Sequence, residues 1–211
     1  MKFTKMQGIG NCYLYINCFE EQVEDPAALS VALSDVHFGV GSDGIILIKP
    51  SERADCEMDI YNADGSRAMM CGNGIRCVGK YVYERGIAQK DVITVDTQSG
   101  VKTLYLTITE GKVKSVRVNM GKPDLCAATI PTLFPVKQVV DEPLVVQGTE
   151  YHVTCVSMGN PHCVVFQPEV ENLDLAKIGP EFEFHPMFPA RVNTEFVRVL
   201  NSQEVRMRVW E

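Results

Sequence analysis

The feature that most constrains this chain is that it repeats itself. Gly10-Asn11 precedes the alternating stretch CYLYIN, and 149 residues later Gly159-Asn160 precedes HCVVF. The same offset carries Pro26, at the start of a predicted helix, onto Leu175, at the start of another. Gly44 of GIILI lands on Asn193 of NTEFV, and Asn62 lands on Glu211. Cys56, Met58 and Ile60 land on Val205, Met207 and Val209 with the apolar alternation kept, while Glu57 and Asp59 land on Arg206 and Arg208. A constant offset through helix, strand and polar turn predicts two similar halves. Such halves, related by a pseudo-twofold axis, are expected to form a cleft. They are placed at residues 1–117 and 118–211.

Most of each half reads as short strands: CYLYIN, GIILI, CEMDIY, TLYLTI and VKSVRVNM in the first, HVTCV, HCVVF, EFVRVL and EVRMRVW in the second. One predicted helix runs from Pro26 to Asp35, with Asp25 as N-cap and Pro26 at its first position. Another lies between Leu173 and Phe184 and is predicted to break at Gly179-Pro180. A third runs from Gly74 to Arg85: Ile75, Val78 and Val82 share a face, Asn73 is the predicted N-cap, and Gly86 follows as the C′ residue.

The net charge of −7 and the lack of any Lys/Arg-rich run argue against a nucleic-acid partner. No apolar run reaches the length of a membrane span, and the N-terminus MKFTKMQGIGN carries no signal-peptide pattern. A cytoplasmic location follows as the expectation, with the eight cysteines kept as thiols. Their spacing is poor for a metal: there is no C-x2-C, and the two closest pairs are C-x5-C.

The stretch MCGNGIRC sets Cys71 just outside the start of the third helix, where unpaired N–H groups and the positive end of the dipole favour thiolate over thiol. A lone cysteine beside a tight turn is otherwise a small buried hydrophobe. Two thiols facing one carbon from opposite sides suit stereoinversion: one takes the α-proton, the other returns a proton to the far face. Glycines at 72 and 74 let a ligand approach the backbone, whose N–H groups can hold a carboxylate as charge flows into it. The offset maps Cys71 to position 220, past residue 211, so the second half is expected to break off before its thiol, and residues 1–211 alone are expected not to epimerise. Asn11, Asn62, Asn160 and Asn193 sit at predicted strand ends or turns. Asparagine is common there, but it also offers donors and an acceptor without charge, which suits a zwitterion. His162, beside Asn160, is a candidate for the same site.

KMQGIGN, FGVGSDG, YNADGSRAMMCGNGIRC, RVNMGKP, SMGNPHCVVF, FPARVNTEFV and RMRVWE together resemble the diaminopimelate epimerase family. The resemblance implies an α+β fold of two pseudo-symmetric domains, each a curled, mostly antiparallel sheet around a central helix, with the site between them and the second domain incomplete here. It implies pyridoxal-phosphate-independent epimerisation of LL- to meso-diaminopimelate in lysine and peptidoglycan precursor synthesis. No cofactor or metal is expected, the ligand is a small amino acid, and a homodimer is allowed. It makes Cys71 a catalytic thiol, with His162 and Glu211 in supporting catalytic roles. It makes Asn11, Asn62, Gly72, Asn73, Asn160, Asn193 and Glu211 substrate-binding. Position 44, glutamine in some members, is glycine here, and members run on from the final glutamate to a second Cys-Gly-x-Gly. The rival expectations are a related thiol-dependent epimerase acting on proline or hydroxyproline, and a truncated paralogue that binds an amino acid without turning it over.

Overall fold

A computed structural model describes residues 1–211 as two compact units, Met1–Gly121 and Lys122–Glu211. The first unit runs β1 (Thr4–Gly8), β2 (Asn11–Asn17), α1 (Pro26–Ser34), β3 (Gly44–Lys49), β4 (Cys56–Asn62), β5 (Arg67–Ala68), α2 (Gly72–Glu84), β6 (Val92–Asp96), β7 (Lys102–Thr109) and β8 (Lys112–Asn119). Its sheet has the order β1-β2-β3-β4-β6-β7-β8, with β5 paired to β4. Only the pairs β2–β3 and β4–β6 are parallel. The expected division at 117 falls inside β8.

At its centre, on β2 and β3, both faces of this sheet are covered. Leu14, Ile16, Ile45 and Leu47 pack beneath Leu29 and Leu33 of α1. Tyr15, Ile46, Ile48, Met58 and Ile60 pack against Ile75, Val78 and Val82 of α2. Double coverage explains why β2 and β3 read as near-continuous apolar runs without alternation. The cap of α1 is as expected: Asp25 accepts from the N–H of Ala28 at 3.0 Å, with Pro26 at the first turn. At α2 the cap is Cys71 rather than Asn73, and the helix starts two residues early at Gly72. Gly86 has φ +75° and donates to the carbonyl of Tyr83, the left-handed stop that a C′ glycine provides.

The second unit runs β9 (Glu142–Val146), β10 (Thr149–Ser157), β11 (Pro161–Phe166), α3 (Leu175–Glu183), β12 (Asn193–Asn201) and β13 (Glu204–Trp210). Its sheet order is β13-β12-β11-β10-β9, and only β11–β12 is parallel. The repeat holds at the level of register. Tyr13 pairs with Gly44 in the first unit, and His162 pairs with Asn193 in the second, each 149 residues on. Ile45–Tyr61 likewise becomes Thr194–Trp210, and α3 begins and ends 149 residues after α1. Helix α3 passes through Pro180 without breaking. One backbone bond is lost there, but Phe182 is fully buried edge-on to both Tyr151 and Phe196, with centroids 5.2 and 5.3 Å away. Gly179 gives the Trp210 ring its place, since an added Cβ would lie 2.2 Å from that ring.

Four strands escaped the sequence pattern: β1, β5, β6 and β9. No helix is long and apolar enough to cross a membrane. Helix α2 touches the sheet most closely at Gly79, where a Cβ would lie 2.7 Å from Leu104 Cδ2 and 3.4 Å from Leu106 and Val116. Gly79→Val therefore overpacks a filled contact and is expected to destabilise by about 1–3 kcal/mol. Urea unfolding measures it, and an unchanged midpoint would mean that α2 is not seated this closely.

Candidate active site

The start of α2 gathers the groups of the first unit. Cys71 is extended, at φ −134°, and partly exposed. Its Sγ accepts the N–H of Gly74 at 3.2 Å. A donor aimed at sulfur, at the positive end of a helix, stabilises thiolate more than thiol. Gly74 sits close under its neighbours: a Cβ there would meet Ile46 Cδ1 at 2.8 Å and Cys71 Sγ at 3.4 Å. Beneath the turn, the buried hydroxyl of Tyr15 donates to the Gly74 carbonyl at 3.3 Å. Burial, helped by the neighbouring Cys77 thiol, pushes that phenol far above its ordinary range, so it remains a neutral donor.

Three polar side chains are linked beside the thiol. Arg76 Nη2 donates to Asn73 Oδ1 at 2.6 Å, and its Nη1 donates to the Gly72 carbonyl at 3.0 Å. Asn73 Nδ2 in turn donates to Asn11 Oδ1 at 2.5 Å. The structure thus brings together Cys71, Gly72, Asn73 and Asn11. Asn62 stands apart at the end of β4, where its Nδ2 donates to Ser66 Oγ at 3.1 Å. Its partner across the ladder, Gly44, has φ +148°, and a Cβ would lie 2.1 Å from the Tyr61 carbonyl oxygen. The backbone therefore leaves position 44 no side chain.

In the second unit His162 is held from both sides. Its Nδ1 lies 2.7 Å from Glu195 Oε1, and its Nε2 lies 3.0 Å from Asn160 Oδ1. Asn193 opens β12 directly opposite His162. Glu211 is exposed and follows Trp210, the last residue of β13. Beneath His162, the second carboxylate oxygen of Glu195 and the hydroxyl of Thr194 are buried without a hydrogen-bond partner.

Two residues of these clusters were not singled out by sequence. Arg76 reads as a helix-surface charge. Glu195 carried a signal: 149 residues before it stands Ile46, a core residue, so the repeat puts an acid where its twin has an aliphatic side chain. The eight cysteines form no disulfide. Burial pushes Cys56 up to about 12. The Cys155 thiol and then burial push Cys163 well above its ordinary range. Both are therefore poor bases and poor nucleophiles near neutrality.

The family described as diaminopimelate epimerase matches residues 3–126 and 154–211. A diaminopimelate epimerase from Acetivibrio thermocellus is 54% identical over 211 residues, covering 100% of this chain and 75% of its own length. One from Methanococcus maripaludis is 49% identical, covering 100% of this chain and 76% of its own. Among solved structures, a hydroxyproline epimerase from Agrobacterium vitis superposes with a TM-score of 0.70 over 98% of this chain and 69% of its own. At 15% identity that likeness shows the fold alone. Motif, register and relatives agree, and the chain belongs to the diaminopimelate epimerase family.

Proposed function

We infer that this protein is an isomerase that interconverts LL- and meso-diaminopimelate by proton transfer at one α-carbon, needing no cofactor, in the supply of lysine and peptidoglycan precursors, and that residues 1–211 by themselves do not complete the inversion. The observation that carries the reading is the Cys71 thiol at the helix start, with the Gly74 N–H on its sulfur. As a thiolate, Cys71 takes the α-proton, and the electron pair of the C–H bond flows into the carboxylate. A second thiol, facing the carbon from the other side, then returns a proton to the opposite face. In the reverse direction the two exchange roles. An α-proton of an amino acid is weakly acidic, so donors that strengthen as charge builds on the carboxylate supply much of the rate. Asn11, Gly72 and Asn73 are proposed for that work. Asn62, Asn160, Asn193 and Glu211 are proposed to hold the remaining ammonium and carboxylate groups, with His162 in support. A cytoplasmic location and a homodimer complete the proposal.

The natural full-length protein, incubated with LL-diaminopimelate and analysed by chiral chromatography, is expected to yield the meso form. Cys71→Ala should lose at least the share of one acid–base group, about 10²–10⁴-fold. Full turnover by Cys71→Ala would remove the thiol from the mechanism, and turnover of proline or hydroxyproline in place of diaminopimelate would reassign the substrate.

Among the eight thiols, Cys71 is expected to react first with sub-stoichiometric iodoacetamide at pH 7, read by peptide mapping. Labelling of Cys77 or Cys163 ahead of it would contradict the assignment.

Asn62→Ala and Asn160→Ala each leave a ligand group unpaired, at about 1–3 kcal/mol, or one to two decades in Kd. Calorimetric titration with meso-diaminopimelate checks this, and wild-type affinity in both would make them turn residues.

A further inference from the structure

Arg76 stands where a helix-stabilising cation would not. It lies in the second turn of α2, close to the positive end of the dipole, where a positive side chain is unfavourable. Its hydrogen bonds give another account. A guanidinium can only donate. Asn73 must therefore turn its Oδ1 to Arg76, as it does at 2.6 Å, and its Nδ2 faces the other way. That Nδ2 donates to Asn11 at 2.5 Å, so Asn11 must present its Oδ1 inward. Rotating either amide by half a turn would set donor against donor.

We propose that Arg76 is a positioning residue that fixes the polarity of two successive amides, so that Asn11 offers its ligand an N–H donor and selects a carboxylate over an ammonium. The inference deepens the reading above and rests on Asn11 facing the ligand. Its chemical content is directional. An asparagine free to rotate serves either end of a zwitterion equally, and one whose carbonyl is already engaged serves only an acceptor. The relay thereby converts a neutral, ambivalent side chain into a specific one without adding charge beside the substrate.

The relay is tested first without ligand, in the natural full-length protein. Side-chain amide NMR of Asn73 should show Nδ2 protons protected from water exchange in the wild type and in Arg76→Lys, which still only donates. Protection should be lost in Arg76→Met that circular dichroism shows to be folded. Free exchange in the wild type overturns the proposal. Binding of meso-diaminopimelate is then measured in a double-mutant cycle. Arg76→Met is expected to weaken Kd about tenfold in the parent and less than about twofold in an Asn11→Ala background, since the two act as one unit. Equal losses in both backgrounds would mean that Arg76 acts only through helix stability, which also overturns the proposal. Asn11→Asp replaces the donor with an acceptor of the same shape and is expected to weaken binding by about two decades. Retained affinity there would show that Asn11 faces an ammonium. If the wild type binds no diaminopimelate, the functional reading fails, while the exchange measurement still decides the relay.

Discussion

Helix α2 lies close against the strands around it at three points. A Cβ on Gly74 would come within 2.8 Å of Ile46, one on Gly79 within 2.7 Å of Leu104, and one on Gly8 of β1 within 2.8 Å of the Asn73 carbonyl oxygen. The Gly8 contact is backbone to backbone, so β1 holds the start of the helix. The groups at that start inherit its rigidity: the Gly74 N–H on Cys71, the Tyr15 hydroxyl under Gly74, and the amides of Asn73 and Asn11. Donors already in place when charge develops need no reorganisation at that moment, which is where fixed dipoles gain over water. The apolar packing of this unit and its polar chemistry are thus consequences of one close approach.

Competition between burial and hydrogen bonding sorts the cysteines. Cys56 is fully buried, and with no compensating donor its proton is held tightly. Cys71 keeps partial exposure and gains a backbone donor. Tyr15 shows the same rule in reverse. Its hydroxyl is deep enough that ionisation is out of reach, so it steadies the turn as a neutral donor. At Asp59 burial would also oppose the charge, yet the Arg67 and Lys49 side chains outweigh it and hold the carboxyl below its usual range.

The parts legible in the sequence are those whose cause is local or repeated. Asp25-Pro26 announces α1 because a cap and a first-turn proline act on their own neighbours. The 149-residue offset reaches as far as ladder register because the same backbone is built twice. What was misread depends on contacts distant in sequence. Asn73 has the composition of a cap, but its side chain is claimed by Arg76 and by Asn11, 62 residues away, and the thiol of Cys71 takes its place. Gly179-Pro180 reads as a break, yet the buried ring of Phe182 holds the turn together. Strands β1 and β9 carry too little alternation to be seen without their partners. Arg76 and Glu195 look ordinary one at a time, and only the atoms they face reveal a purpose.

His162 and Glu195 occupy the backbone addresses that Tyr13 and Ile46 hold in the first unit. There the two positions are buried core. Here they carry an imidazole against a carboxylate. The second unit builds its own core around Phe182 and Phe196 and so can carry charge at these matching points. The two copies thus differ in side chains where the β2–β3 and β11–β12 ladders share one register. A chain rebuilt by copying its first half over its second would keep every strand pairing of that half and erase the histidine–glutamate pair.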